Sequence, residues 1–515
     1  MVKKILGLTY VLIGIVLVIL LLYYFRISFL EFLGVARNIL SRFFILYALM
    51  VAVLIFLDND DPHRTLSWLL VLIFLPYIGV VFYILIGKNV IPRRAAKKKN
   101  ESDQLVEGKM AQNQSDALQY LSTITLEPDK ILSQHSRVVQ LMLKNSNSLF
   151  SLNNQVDILT NGIQTFTRIF RAMNEARETI HMEYFIIKED TIGNKVKEIL
   201  IRKAKEGIKV RVIYDDVGSF RLSRKFKTDL KKAGVEIFPF FPVIFPVITR
   251  ELNYRNHRKI LVVDGMVGFV GGLNIGDEYI GKNPTLGFWR DTHLRIRGEA
   301  VHTLQRIFVS DWKFVSKADI SLVTPYKKMP YMGQTMVQIA ASGPDSDWQN
   351  IHQGFFSLIA TAKEKIWVET PYLVLDESLK MALKTAALSG LDVRIIIPNK
   401  PDHFFVYWAS RDTIEGLLEA GVRIYTYERG FIHSKILLVD GIAASVGTAN
   451  MDIRSFGTNY EVNAFLYGKE ITRRLEEDFM VDLKDSKEVD YEEHLKRGIK
   501  QKTLEAFGRL LSPLQ

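Results

Sequence analysis

The chain has 515 residues, a formal net charge of +11 and no cysteine. The absence of cysteine excludes disulfide bonds and cysteine-ligated metal sites, and it leaves the redox compartment undetermined. A basic balance of this size suits nucleic acid as well as anionic lipid, so charge alone does not select a partner.

Three apolar runs occupy the N-terminal part of the chain. The first, Ile5 to Phe25, is long enough to cross a bilayer and too long for a signal-peptide core. The second extends from about Phe43 to Leu57, with an extension back to Gly34, and the third from Leu66 to Gly87. A buried helix of a soluble domain is the alternative for any single run. Three in close succession predict a membrane domain at residues 1–90 with two to three transmembrane helices.

Charged residues around the third run indicate its orientation. Six cations follow it, at positions 88, 93, 94, 97, 98 and 99, and the loop before it, Asp58 to Arg64, is acidic. By the positive-inside rule, the remainder of the chain lies on the cytoplasmic side of the cell membrane. Three spans would place the N-terminus outside, which Lys3 and Lys4 oppose, so the number and orientation of the first helices stay open.

A polar linker, residues 91–135, precedes two halves that resemble each other in sequence. The stretches that begin at residues 176, 207 and 233 match those that begin at residues 362, 390 and 420. Each reads as the end of a helix that leads into a buried strand. We therefore predict an α/β fold of two lobes, residues 136–325 and 326–515, each a mixed sheet flanked by helices.

One motif, His-x-Lys-x4-Asp, occurs once in each lobe, and in both copies an Asn follows the His at the same distance, at Asn274 and Asn450. Two copies in matching register exclude chance and indicate an internal duplication. The motif residues form the candidate catalytic set: His257, Lys259, Asp264, His433, Lys435 and Asp440.

The apolar strands that carry the motif predict where its side chains point. The His and the Lys are separated by a single residue and share one face, whereas the Asp falls on the other face, where we expect it to brace the fold. An imidazole beside a fixed cation suits attack on an anionic phosphorus centre, with the Lys neutralising the phosphate oxygens. Asn274 and Asn450 can donate further hydrogen bonds to those oxygens. A solvated surface pair is the simpler interpretation of one copy, but not of two.

These residues resemble the phospholipase D superfamily, whose signature is HxKxxxxD followed by G-[ST]-x-N. The second copy fits fully, and the first carries Gly272 where Ser or Thr is usual. The resemblance implies two phospholipase D-like lobes related by a pseudo-twofold axis, with both His in one cleft and no metal or organic cofactor. It implies a phosphohistidine on one His, with the other as acid and base. His257 is suggested as the nucleophile and His433 as the acid/base, an order that the sequence does not settle.

Two carboxylates are candidates for holding the imidazoles. Asp291 lies downstream of His257, and Glu461 lies downstream of His433 at a comparable distance. In related enzymes an acidic residue at about this distance accepts the Nδ1–H, so we expect Asp291 to orient His257 and Glu461 to orient His433. An ordinary strand-edge salt bridge is the alternative.

Other features have two interpretations each. The basic stretch Arg221 to Lys232 is a solvated helix face or a contact for lipid headgroups. The apolar stretch Phe238 to Ile248 lines an acyl-chain groove or packs in the core. The segment Leu504 to Pro513 is an amphipathic interfacial helix or docks on the second lobe. Glu183 and Glu369, at equivalent strand positions, pair with a catalytic Lys or form structural ion pairs.

The order of membrane runs, linker and two motifs resembles the bacterial cardiolipin synthases of phospholipase D type, as do the stretches Pro62–Trp68, Phe288–Arg295 and Asn459–Asn463. The resemblance implies transfer of a phosphatidyl group from one phosphatidylglycerol to another, giving cardiolipin and glycerol. Anionic membrane lipids and not nucleic acid are then the partners, and protein partners are unknown. The alternatives are a hydrolase, a transferase that uses another alcohol, and a non-catalytic lipid-binding scaffold.

Overall fold

The computed structural model describes residues 29–57, 62–75, 79, 83, 114, 130–242, 254–320, 329–402 and 404–511. The chain divides into two compact units, Met1–Lys88 and Asn89–Pro513. Both copies of the motif belong to the second unit.

The described part of the first unit contains two helices, α1 (Phe29–Leu57) and α2 (Pro62–Phe74). Between them lies a small apolar core of Val51, Ile55, Trp68, Leu72 and Tyr83. Within the ranges given above, no helix combines the length and the apolarity needed to cross a membrane. The predicted run Ile5 to Phe25 lies outside the described residues.

The first elements described in the second unit are α3 (Lys130–Ser146) and β1 (Phe150–Ser151). Val138, Met142 and Phe150 are buried in a core made with residues of the second half of the chain, and β1 pairs with a strand at Met336–Ser342. Residues 136–151, predicted from their place in the chain to belong to the first lobe, pack on the second sheet. The reason is that the apolar face of α3 matches a helix of the second lobe, a contact that chain order cannot show.

A seven-stranded mixed sheet forms the first lobe, in the order β2-β9-β7-β6-β3-β4-β5. Strands β3, β4 and β5 are parallel and are joined by helices, because each helix-to-strand repeat returns the chain to the same edge. The strands are β2 (Asn154–Thr160), β3 (Thr179–Tyr184), β4 (Lys209–Asp215), β5 (Glu236–Phe240), β6 (Lys259–Val263), β7 (Val267–Gly271), β8 (Phe288–Arg290) and β9 (Thr292–Gly298). The helices are α4 (Asn161–Glu175), α5 (Thr191–Lys205), α6 (Arg224–Lys232) and α7 (Ala300–Ser316).

The second lobe has a nine-stranded sheet in the order β1-β10-β19-β17-β16-β11-β13-β14-β20. Without its two edge strands, this order repeats that of the first lobe strand for strand. The strands are β10 (Met336–Ser342), β11 (Lys365–Glu369), β12 (Leu373–Val374), β13 (Asp392–Pro398), β14 (Arg423–Tyr427), β15 (Gly430–Ile432), β16 (Ile436–Val439), β17 (Ala443–Gly447), β18 (Met451–Asp452), β19 (Glu461–Tyr467) and β20 (Ser486–Glu488). The helices are α8 (Asn350–Ala360), α9 (Glu377–Leu388), α10 (Phe404–Glu419), α11 (Ile453–Gly457), α12 (Lys469–Lys484), α13 (Tyr491–Leu495) and α14 (Ile499–Leu511).

The two sheets share one apolar core. Val262 and Val270 of the first sheet lie in the same cluster as Leu438 and Val462 of the second, all almost fully buried. The inner faces of β6 and β16, which follow the two His, therefore face each other across this core. Burial of this kind is the main stabilising term of the interface between lobes.

Two stretches with open interpretations are resolved in part. Helix α14 packs on α10, where an added side-chain carbon at Gly508 would lie 2.6 Å from the backbone N of Ala409, so the C-terminal segment docks on the second lobe. Phe240 and Phe241 are buried against Tyr460, which favours core packing for the start of the apolar stretch. Residues 243–248 of that stretch lie outside the described residues.

Candidate active site

The first motif lies where the chain enters β6. The ring of His257 donates from Nδ1 to Glu461, whose two carboxylate oxygens are both 3.0 Å away. The backbone N–H of His257 donates to the carbonyl of Tyr460 at 2.9 Å. Lys259 Nζ donates to the carbonyl of His257 at 2.7 Å. The ring is thus held at one nitrogen, and Nε2 is left for chemistry.

The second motif repeats this arrangement with partners from the first lobe. His433 donates from Nδ1 to Asp291 Oδ2 at 2.7 Å, and its backbone N–H donates to the carbonyl of Arg290 at 2.7 Å. Lys435 Nζ donates to the carbonyl of His433. Each imidazole is therefore oriented by a carboxylate of the opposite lobe.

The predicted pairing of His and carboxylate within each lobe is wrong, because the pairs are exchanged between lobes. Strand β15, which leads to His433, runs parallel to β8, which leads to Asp291. On the other side, a parallel bridge joins Asn256, which precedes His257, to Tyr460, which precedes Glu461. The spacing of each acid from the His before it located the acids correctly but carried no information on which ring they face.

Burial sets the charges of this cluster, since both His and both Lys are at most 9% exposed. Burial lowers the pKa of His257 to about 4, although the charge of Glu461 opposes it, so the ring is neutral near pH 7. Burial alone would raise the pKa of Glu461, but its interaction with His257, including the hydrogen bond to the ring, and the charge of Lys259 lower it. Glu461 therefore stays ionised and keeps the hydrogen of His257 on Nδ1.

The remaining charged groups shift in the same environment. Burial lowers the pKa of Lys259 to about 7 and that of Lys435 to about 8. Burial raises the pKa of Asp291 to about 6, although the charge of Lys435 opposes it. Two ammonium groups with depressed pKa values are well placed to gain from an incoming anion, which would stabilise their charged forms.

The motif aspartates do not reach this cluster. Asp264 accepts hydrogen bonds from the backbone N–H groups of three residues at the start of β3, at 2.8 to 2.9 Å. Asp440 does the same at the start of β11, at 2.8 to 3.1 Å. Their place in the candidate catalytic set is thus corrected: they brace the turns, as their position on the opposite strand face predicted.

The two motif asparagines are both buried but differ in their partners. Asn274 donates from Nδ2 to the hydroxyl of Tyr279 at 2.9 Å and accepts from the backbone N–H of Ile186 at 3.2 Å. Asn450 donates from Nδ2 to Asp452 at 3.1 Å, and its Oδ1 has no hydrogen-bond partner among the described residues. Each amide nitrogen thus uses one of its two N–H groups within the protein, and the predicted contact of the second with phosphate stays a prediction.

The departure of the first copy from the superfamily signature has a steric reason. A side-chain carbon at Gly272 would collide with the carboxylate of Asp291. The corresponding residue of the second copy, Thr448, keeps its side chain, and its hydroxyl helps to lower the pKa of Glu461 after the larger influences named above. The first copy thus combines Gly272 with the shorter side chain of Asp291, and the second combines Thr448 with the longer side chain of Glu461.

Arg258, between the His and the Lys of the first motif, escaped notice in the sequence. It is buried, pairs with Asp311 and donates from Nε to the backbone carbonyl of Glu461 at 3.3 Å. It therefore supports the segment that holds His257. Nearby Glu183 accepts from Asn256 Nδ2 at 2.6 Å through one oxygen, and its other oxygen has no hydrogen-bond partner among the described residues, so it does not hydrogen-bond a catalytic Lys.

Arg290 has the corresponding supporting role for the second motif. It is not a residue of that motif but lies at the end of β8, directly before Asp291. It donates from Nε to Asp482 at 2.6 Å and from Nη1 to the hydroxyl of Ser434 at 3.1 Å. Glu369 lies 3.8 Å from its Nη2, so its charged neighbour is an arginine and not a catalytic Lys, and burial raises the pKa of Glu369 to about 8. The signal that could have revealed both arginines is a cation within a sequence that otherwise reads as buried strand.

Aromatic rings enclose the histidines. Phe185 meets the ring of His257 edge-on, with centroids 5.0 Å apart. Three rings lie within 5.7 to 6.2 Å of His433: Tyr279, Trp289 and Phe431. Such walls exclude water and strengthen the electrostatic interactions inside. Across the described ranges, no group of three or more His, Asp or Glu side chains is arranged to hold a metal ion.

The chain matches two known protein families. Residues 169–312 and 355–483 match the family described as "Cardiolipin synthase, PLD-like domain", and residues 45–88 match "Phospholipase_D-nuclease N-terminal". The chain is 47% identical over 469 residues to a cardiolipin synthase of Geobacillus thermodenitrificans, covering 90% of this chain and 91% of that one. It is 41% identical over 488 residues to the major cardiolipin synthase of Bacillus subtilis, covering 94% of this chain and 100% of that one.

Among solved structures, a phosphatidylserine synthase of Haemophilus influenzae matches with a TM-score of 0.57 and 15% identity, covering 74% of this chain and 100% of that one. At this identity the likeness supports the fold alone, with its mixed α/β sheets.

Proposed function

The chain belongs to the bacterial cardiolipin synthases of the phospholipase D superfamily, and from that premise we propose that it is a phosphatidyltransferase that joins two phosphatidylglycerol molecules into cardiolipin and releases glycerol. The observation that carries the proposal is the reciprocal exchange of carboxylates: Glu461 holds His257 and Asp291 holds His433. Two oriented imidazoles and two buried ammonium groups suit attack on one phosphodiester.

In the first step, the neutral ring of His257 attacks phosphorus through Nε2. His433 enters this step as an imidazolium, with Nδ1–H on Asp291 and Nε2–H directed to the departing oxygen. The P–N bond forms, the P–O bond to glycerol breaks, and the proton of His433 leaves with glycerol. The product is a phosphatidyl group on His257.

In the second step, His433 is neutral and acts as the base. It takes the proton from a glycerol hydroxyl of the second phosphatidylglycerol, whose oxygen attacks phosphorus as the P–N bond breaks. One phosphodiester replaces another, so no nucleotide or oxidant is needed. Water in place of the second lipid would give phosphatidic acid, and for this reason the rings around His433 serve the transfer by restricting water.

Lys259 and Lys435 are proposed to hold the phosphate oxygens and to neutralise charge in both transition states. Their depressed pKa values, about 7 and about 8, show what burial does to them without a bound anion. A phosphate between them restores the charged forms, which couples substrate binding to protonation. No step requires a metal or an organic cofactor.

We further propose the arrangement of the whole chain: a membrane domain at residues 1–90, a linker at 91–135, and two catalytic lobes on the cytoplasmic side of a bacterial cell membrane, with α3 and β1 assigned to the second lobe. The apolar runs and the cations after the third run support this topology. The match of residues 45–88 to an N-terminal family model supports a separate domain in that part of the chain.

The deciding experiment follows the products of radiolabelled phosphatidylglycerol with the full chain in vesicles. We expect cardiolipin and free glycerol, also in the presence of a chelator. His433→Asn should abolish both products, whereas His352→Asn is a matched control, since His352 also pairs with an aspartate, Asp376 at 2.9 Å, outside the site. Phosphatidic acid as the main product would replace the proposal with a hydrolase, and no turnover by the wild-type chain would favour a lipid-binding scaffold. Unchanged synthesis by His433→Asn would remove that imidazole from the mechanism.

A further inference from the structure

Helix α6 and the loop before it present a strongly basic surface on the first lobe. Residues 221–232 contain six cations and one acid, Asp229, which gives a net charge of +5. Asp229 is also paired with Lys197 of the neighbouring helix at 2.8 Å, a cation outside this count. The exposed cations, here called the basic face, are Arg221, Arg224, Lys225, Lys231 and Lys232.

The helix is built so that these cations point outward. The side chain of Ser223 caps it by accepting from the backbone N–H of Phe226 at 3.0 Å. Phe226 and Leu230 are buried on its inner side. Arg224 and Lys231 are seven positions apart, about two helical turns, as are Lys225 and Lys232, so both pairs lie on the outer side of the helix.

An exposed phenyl ring stands beside these charges. Phe220 is 73% exposed and carries the guanidinium of Arg221 at 5.3 Å from its ring centre. Val217, in the same loop, is 38% exposed. Large apolar side chains within a rim of cations are the composition of a surface that inserts into the headgroup region of a membrane.

The loop lies at the catalytic edge of the first sheet. Tyr184 at the end of β3 is paired with Lys259 at the start of β6, and the loop follows β4, the neighbour of β3. The loop is thus two strands from the first motif, roughly 10 Å. It is also tied to the site, because the hydroxyl of Ser219 donates to the carbonyl of Phe185, whose ring packs on His257.

We propose that the basic face and Phe220 dock the first lobe on the anionic surface of the bilayer, so that a phosphatidylglycerol headgroup reaches His257 while its acyl chains stay in the membrane. The proposal rests on the proposed function, which supplies the anionic lipid substrate. Charge complementarity with anionic headgroups, and the anionic lipid that the proposed function requires, select the bilayer as the occupant.

The first test uses the absence of cysteine, which allows a single label. Phe220→Cys in the full chain is labelled with a polarity-sensitive fluorophore and reconstituted into vesicles of phosphatidylcholine with or without phosphatidylglycerol. Leu388→Cys is the matched control, because Leu388 is 71% exposed at the end of α9 in the other lobe. The label at 220 should shift to shorter wavelength and be quenched by brominated lipid in the anionic vesicles, while the label at 388 should not change.

Equal spectra at position 220 in both kinds of vesicle would overturn the proposal. A response to added DNA that exceeds the response to anionic vesicles would overturn it in favour of a nucleic-acid surface.

The second test reverses charge. Arg224→Glu combined with Lys225→Glu and Lys231→Glu should raise the surface KM for long-chain phosphatidylglycerol by about tenfold or more at low salt, with kcat retained. The matched control reverses three exposed cations of the second lobe: Arg473, Lys484 and Lys487. Equal KM values for the two triple variants contradict docking by the basic face.

A soluble short-chain phosphatidylglycerol distinguishes failure of the docking proposal from failure of the proposed function. Both triple variants should convert it as the wild type does, because no bilayer is involved. If the wild type itself converts neither lipid, the proposed function fails, whatever the label at position 220 reports.

Discussion

The two lobes have the same strand order and the same motif, yet they hold their histidines differently. His257 faces a glutamate supported by Thr448, and His433 faces an aspartate that fills the space left by Gly272. The supporting arginine comes from the motif itself on one side, Arg258, and from the strand before the carboxylate on the other. The backbone frame has stayed symmetric, while the side chains that set protonation have diverged. A duplicated fold can in this way hold its two imidazoles in different environments.

Removing the histidines should have the largest effect and should separate their roles. We expect His257→Ala and His433→Ala each to lower kcat by about 10⁴-fold or more. With a phosphatidyl donor whose leaving group is nitrophenol, which needs no acid, His433→Ala should still form a covalent phospho-enzyme and His257→Ala should not. Trapping with labelled donor measures this, and a labelled His257→Ala protein would reverse the assignment.

Substitution of the two carboxylates that orient the histidines should have the second largest effect on kcat. Asp291→Asn should lower kcat by about 10² to 10⁴-fold in a folded protein, because the amide cannot stabilise the imidazolium of His433. Glu461→Gln should act in the same way through His257. Histidine signals in NMR spectra of ¹⁵N-labelled protein identify the ring affected. A change at His257 and none at His433 in Asp291→Asn would contradict the crossed pairing.

The Gly272 and Thr448 positions test whether the asymmetry is steric. Gly272→Ser should displace Asp291 and lower kcat by roughly 10 to 100-fold, whereas Thr448→Ala should cost only a few-fold. Gly416→Ser is the control, because its nearest neighbour would lie 3.7 Å from the added carbon. Equal losses at the two motif positions would show that the lobes tolerate the same side chains.

Acid pH should lower activity by protonating Asp291, the carboxylate that orients His433. The pKa of Asp291 is raised to about 6, so the folded protein takes up a proton there as the pH falls through 6, and His433 loses its partner. Activity should fall about tenfold per pH unit below 6. The folded state binds this proton more tightly than the unfolded state does. The contribution of Asp291 to the free energy of unfolding therefore increases as the pH falls from 6 towards 4. Rates and circular dichroism measured together should show loss of activity before loss of structure.

The smallest effect on kcat should come from the motif aspartates, which have the same bracing role in both lobes. Asp264→Asn and Asp440→Asn each remove an acceptor of backbone N–H groups, which should lower the free energy of unfolding by about 1 to 3 kcal/mol. The rate per folded molecule should change less than tenfold. Thermal unfolding with active-site titration measures both, and a large loss of kcat in only one of the two variants would break the symmetry of the frame.

Much of this protein was readable from its sequence because duplication repeats local patterns. The motif spacing located His257, Lys259 and their counterparts, alternation on a strand predicted the bracing role of Asp264, and helix-to-strand repeats predicted two α/β lobes. Asp291 and Glu461 were also located. These features depend on periodicity along one strand or one repeat, which is a local property of the chain.

What only the tertiary structure decided concerns contacts between distant segments. The parallel pairing of β15 with β8 exchanged the carboxylates between lobes, and it brought Arg290 to Ser434. The packing of α3 on the second sheet moved its residues out of the first lobe. The sequence carries the order of residues but not which of two equivalent lobes a side chain faces. That choice is made when the inner faces of both sheets are buried in one shared core.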